Sequence, residues 1–105
     1  MKDFNPVPDH VDFDAKRLFE NAGALQDGSI IYAKPNGGGP TKDIPHNHNH
    51  LFIVIKGEAK VIVEGKESII PENECATIPG KVSHSIWNNS SENDLIMVSL
   101  SVLQD

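Results

Sequence analysis

The sequence predicts an all-β sandwich or barrel, and three observations carry that reading. From Gly28 onward, short apolar runs are separated every few residues by Gly, Pro, Asn and Asp, the pattern of strands joined by turns. The run that follows His50 is strongly β-prone, and no stretch carries a long helical period. With 105 residues the chain has the length of one domain, enough to bury roughly two thirds of its unfolded surface.

Residues 1–27 read as an N-terminal arm and residues 28–105 as a single barrel. In the arm, Pro6 and Pro8 favour an extended start, and residues 14–21 are compatible with a short helix that turns Leu18 and Phe19 inward. The strand runs are 29–34, 44–56, 59–64, 67–70, 75–78, 82–87 and 94–103. Ala59, Val61 and Val63 alternate with Lys60, Ile62 and Glu64, as in a strand with one buried face, and Gly65-Lys66 then supplies a tight turn. Gly37-Gly38-Gly39-Pro40 has the composition of a mobile loop, a hinge, a lid or a plain linker. It lacks the lysine-serine ending of a phosphate cradle. The run from Leu95 begins apolar on both faces and then alternates, so part of it should be covered on both sides, with a second subunit as one possible cover.

Composition narrows the function. Hydrophobic residues at 38% and charged residues at 23% fit a globular chain, and the net charge of -6 leaves no basic stripe for a polyanion, so nucleic acid is excluded as a partner. No run reaches the roughly 20 apolar residues of a membrane span, and the N-terminus lacks the apolar stretch of a secretory signal; a cytoplasmic location without a membrane partner is expected. The single Cys75 cannot form an internal disulfide and is expected as a buried, unreactive thiol.

The chemistry concentrates in Pro45-His46-Asn47-His48-Asn49-His50. Alternation by two puts the three imidazoles on one face of a strand, with neighbouring Cα atoms roughly 6–7 Å apart, close enough for the rings to converge on an ion. On a straight strand His46 and His50 stand about 13 Å apart, so either the strand bends near Pro45 or one histidine is idle. A solvated His-rich strand end without metal is the alternative. His10, outside the cluster, reads as a surface residue. Trp87 reads as a strand aromatic in the sandwich or a dimer contact, with a place at the barrel mouth, stacked on a ligand, as the other possibility.

Residues 73–88 keep Pro79, His84 and Asn88 at the spacing of the second cupin motif, with Gly80 one place early and Asn73 where a glycine is usual. The chain thus resembles the cupins over about residues 39–88. The resemblance implies a double-stranded β-helix, a jelly-roll barrel, and a homodimer, with which the apolar start of the last run is compatible, and it brings His84 beside the histidine segment as a metal ligand. Counting back from Gly57, His50 occupies the family's glutamate position, His46 that of a histidine, and Ile44 that of the other. Two ligand sets follow: His46, His48, His50 and His84 together, with His48 filling the vacancy left at Ile44, or three of these with an idle fourth.

All-histidine ligation favours one divalent transition metal, Fe, Mn, Ni, Cu or Zn, over Mg or Ca. Neutral imidazoles leave the ion's charge uncompensated, which would draw a small anionic or oxygen-rich ligand. Asn88 is the expected outer partner of a ligating ring. The resemblance implies a metal-dependent dioxygenase or isomerase, for which the cluster offers no carboxylate and no catalytic acid or base can be named. The alternative is a non-catalytic barrel that binds or senses a sugar-like small molecule.

Overall fold

The computed structural model describes residues 2–42 and 47–103. Its strands are β1 (Asn5–Pro6), β2 (Val11–Ala22), β3 (Leu25–Gly39), β4 (Asn49–Lys56), β5 (Ala59–Val63), β6 (Lys66–Ile70), β7 (Cys75–Ile78), β8 (His84–Asn88) and β9 (Leu95–Val102), and there is no helix among the described residues. In hydrogen-bonding order they run β6-β5-β8-β3-β9-β4-β7, with β2 on β3 and β1 on β2. The pairings are antiparallel. The result is the expected jelly-roll barrel.

β3 joins the two sheets. Its first part lies on β9, from Leu25 opposite Val102 to Ala33 opposite Leu95, whereas Gly38 and Gly39 lie opposite Trp87 and Ile86 of β8. The glycine run expected as a mobile loop is therefore a buried strand end. The reason is steric. A Cβ on Gly37 would meet the carbonyl oxygen of Val11 at 2.7 Å, and one on Gly38 would meet Trp87 Cα at 2.7 Å as well as the Ile86 carbonyl. Backbones press on this segment from both sides, and only glycine fits.

Residues 14–21 form part of β2, and the expected short helix is absent. Pairing with β3 over most of its length decides the conformation, with shifts of register at Val11/Phe13 and Arg17/Phe19. Local propensity is a weak prior against such a ladder. Phe19 lies over Gly28, where an added Cβ would run into Cε1 and Cζ of the ring, while Leu18 faces solvent at 53% exposure. The arm is thus woven into the sheet beside β3.

Alternation by two sorts the core. Phe13, Ala33 and Leu95 form one inward row across β2, β3 and β9, and Ala15, Ile31, Met97 and Val54 form the next. They pack in one cluster with Ala59, Val61, Ile70, Ile78 and Ile86 of β5 to β8. Each buried side chain of Val, Ile, Leu or Met size contributes roughly 1.5–3 kcal/mol. On the other face of the same strands, Ile30, Val98 and Ile53 are cross-strand neighbours, as are Leu100 and Leu51, and all are only half-covered. β9 is apolar on both faces from Leu95 to Val98 and then alternates, with Ser99 and Ser101 turned inward, as its sequence indicated.

The β5–β6 turn falls one residue earlier than expected. Val63 pairs with Lys66, so Glu64 and Gly65 are the two turn residues, with φ of 48° and 82°. Positive φ at both positions marks a type I′ hairpin. Cys75 is exposed, contrary to the buried thiol expected. In β7 it is Ala76 and Ile78 that turn inward, so Cys75 and Thr77 turn out. No helix long and apolar enough to cross a membrane occurs among the described residues.

Candidate functional site

Inside the barrel is a cavity of about 420 Å³, whose lining includes His48, His50, His84, Phe52, Ser99 and Ser101. β4 presents His50, Phe52 and Val54 inward by alternation, and His48 lies one step before the strand on the same side. His84 opens β8, opposite Val63. The approach to β8 is held by Asn49, whose Oδ1 accepts the backbone N–H of Gly80 at 2.8 Å. One motif's turn is thereby tied to the other motif's strand.

The structure brings three of the four predicted histidines together; His46 lies outside the described residues. His48 Nε2 is 3.2 Å from His50 Nε2, and His50 Nδ1 is 3.2 Å from His84 Nε2. The rings stand nearly perpendicular, at 77° and 88°. Phe52 lies 5.2 Å from the His50 ring and 6.2 Å from that of His84, centroid to centroid, an apolar wall against the pair.

One set of neutral tautomers satisfies these contacts. His84 Nδ1 faces the carbonyl of Val82 at 3.3 Å, and only an N–H can donate there, which leaves Nε2 with its lone pair. His50 then donates to His84 from Nδ1, and its Nε2 accepts from His48. For His84 this is the form a metal ligand needs, with the outer nitrogen on a carbonyl.

The donor set fits a transition ion by its chemistry. Three imidazoles lie with ring nitrogens 3.2 Å apart, against about 3.3 Å for two nitrogens on a tetrahedral ion with bonds of roughly 2.0–2.1 Å. Yet His50 turns its two nitrogens to different partners, and among the described residues no group of three His, Cys, Asp or Glu is arranged to hold an ion. The rings form a chain.

Asn88 is not the outer partner expected. It is 3% exposed, its amide donates to the carbonyls of Ala33 at 3.1 Å and Asn93 at 2.7 Å, and its Oδ1 accepts from the Ser90 backbone N–H at 3.0 Å. It closes the loop after β8, and the carbonyl of Val82 takes the outer role. Trp87 gives its Nε1–H to Ser85 Oγ at 2.9 Å and does not line the cavity.

His10, set aside in the sequence, does line it. Its Nδ1 donates to the carbonyl of Pro8 at 2.8 Å, and its ring lies 4.5 Å from that of Phe13. The segment is fastened to the other side of the mouth. The Asp9 carbonyl accepts from Thr41 N at 2.7 Å and Oγ1 at 3.0 Å, and Lys42 Nζ lies 3.5 Å from the Asp9 carboxylate. Nothing periodic near His10 announces this position; the pairing of Val11 with Gly38 creates it.

The family model for the cupin domain matches residues 27–102. Among solved structures, the cupin domain of Schizosaccharomyces pombe Cnp3 superposes with a TM-score of 0.76 at 13% identity, over 89% of this chain and 66% of that one. KdgF from Halomonas sp. gives 0.76 at 18% identity, over 98% and 88%. A predicted oxalate decarboxylase from Thermotoga maritima gives 0.75 at 17% identity, over 88% and 81%. The chain thus spans just under two thirds of the Cnp3 chain. At these identities the likeness speaks of fold alone, and no curated protein matches the sequence. Since the family match takes in all of β4 to β9 and nearly all of β3, on a barrel of the same architecture, the chain belongs to the cupins.

Proposed function

We propose that this cupin binds one divalent transition metal, Fe, Mn, Ni, Cu or Zn, through His48, His50 and His84 with His46 as the fourth donor, and acts as a metal-dependent enzyme on a small oxygen-rich or anionic molecule. The mutual contact of three imidazoles against one cavity supports this reading most directly. A bound ion would supply Lewis acidity toward substrate oxygens or access to oxygen chemistry. The protein's own part is positional. Val82 fixes the His84 tautomer, Asn49 fixes the turn before it, and Phe52 keeps one side of the rings dry. His10 brings a further imidazole to the lining of the same cavity.

A second reading is a non-catalytic barrel that holds a sugar-like small molecule, and the divergence of the two His50 nitrogens favours it. Elemental analysis of protein purified without a tag or added metal separates the two. About one transition ion per chain, lost in His84→Ala, is the expected result; metal-free protein that also refuses added ions sinks the metalloenzyme. Oxygen uptake or isomer formation by the loaded protein then tests turnover, whereas ligand-dependent thermal stabilisation without turnover favours the binder.

The chain is further proposed to form a homodimer through the half-covered apolar outer face of β3, β9 and β4, and to work in the cytoplasm, where an exposed thiol such as Cys75 stays reduced.

A further inference from the structure

Inward rows of cross-strand partners change character abruptly along the barrel. Ala15, Ile31, Met97 and Val54 make an apolar row; the next is Arg17, Ser29, Ser99 and Phe52, and the one beyond is Asp27, Ser101 and His50. Two residues along each strand, the lining has gone from hydrocarbon to hydroxyl. Asp27, Ser29, Ser99 and Ser101 all border the cavity that holds the histidines. Their side chains make no hydrogen bond or ion pair with any other described residue.

Ser101 is only 5% exposed, and Asp27 is half-buried. No unpartnered side-chain oxygen among the described residues is sealed off, so these hydroxyls open onto the cavity, and a wall that served packing alone would carry Val or Ala there. Serine hydroxyls both donate and accept, and a carboxylate accepts two hydroxyls at once, so this wall matches a ligand rich in hydroxyl groups. Arg17 stands at the rim with Nη1 on Glu20 at 2.9 Å, both side chains 57% exposed, so its charge is already answered. Asp27 has no ion-pair partner among the described residues.

We propose that Asp27, Ser29, Ser99 and Ser101 form a hydroxyl-recognition subsite, and that the ligand is a polyhydroxylated monocarboxylic acid, a sugar acid in chemical class, with its acid end toward the histidines. The orientation rests on the metal reading given above; the hydroxyl wall does not. His50 and Asp27 are two strand spacings apart through Ser101, about 10 Å between backbones, a span suited to a molecule of hexose size. The cavity of about 420 Å³ accommodates such a ligand. A dicarboxylate of the same length would set its second charge against Asp27, and a fatty acid would leave the hydroxyls without partners.

The test is calorimetric titration with gluconate, glucuronate and galacturonate against length-matched hexanoate and adipate, on protein as purified and after metal loading. At least one hydroxy acid should bind tenfold or more tightly than hexanoate and adipate. The double variant Ser99→Ala/Ser101→Ala should lose at least tenfold in that affinity with its metal content and thermal midpoint unchanged. Hydroxy acids that bind no better than hexanoate or adipate, or as tightly in the double variant as in the parent, overturn the proposal. Protein that takes up no metal yet still prefers hydroxy acids through the serines upholds the subsite, and in that case the metal reading is what fails.

Discussion

The amide of Asn88 gives its two hydrogens to backbone carbonyls five residues ahead and 55 residues back in the chain, and its oxygen takes the Ser90 N–H. Removing it leaves a buried carbonyl, that of Ala33, and a half-covered carbonyl and N–H short of a partner. Asn88→Ala should cost about 2–4 kcal/mol in urea denaturation, and a cost below about 1 kcal/mol would show that water replaces the network. The spacing of Asn88 from His84 was legible in the sequence. Its partners were not, because both are backbone atoms with no residue signature. Cys75 illustrates another limit. In a four-residue run, alternation is visible but its phase is not, and only the inward seats of Ala76 and Ile78 turn the thiol outward.

Short hairpins were the most readable elements, because their signals are local. The strands on either side of Glu64-Gly65 fell within a residue of their expected bounds, and the turn itself was displaced by one. Glu64 holds a φ of 48°, which asparagine tolerates better, so Glu64→Asn should raise stability by about 0.5–1 kcal/mol in the same denaturation assay. An unchanged or lower midpoint would mean that the Glu64 side chain contributes more than its backbone strain costs. β2 was misread for the opposite reason. Its partner β3 dictates its conformation, and the polar and apolar residues of 14–21 suit either local structure. Composition equally misled at Gly37–Gly39, where glycine answers crowding by β2 and β8. The histidine segment was readable as a cluster, since alternation and the Pro79-His84 spacing both pointed there, but His10 and the serine wall depend on which strands become neighbours.

At the scale of the molecule, the outer face of the β3-β9-β4 sheet carries Ile30, Val98 and Ile53 in one row with Leu100 and Leu51 in the next, all half-covered. Pairing of two such faces removes apolar surface from water and gives the second cover that the sequence of β9 called for. Light scattering should find a dimer at tens of micromolar, and Val98→Glu should shift it to monomer while Val98→Ala keeps the dimer. A monomeric parent protein would rule the interface out. The order of strands bears on the protein's synthesis as well. β9 lies between β3 and β4, so these two strands have no common neighbour until residues 95–102 have been made. Until then a nascent chain holds two open ladders with unpaired edges, the state in which β proteins associate wrongly. Truncation or stalling ahead of Leu95 should therefore yield aggregate, never a smaller barrel, so the last strand to be made is the one that closes the fold.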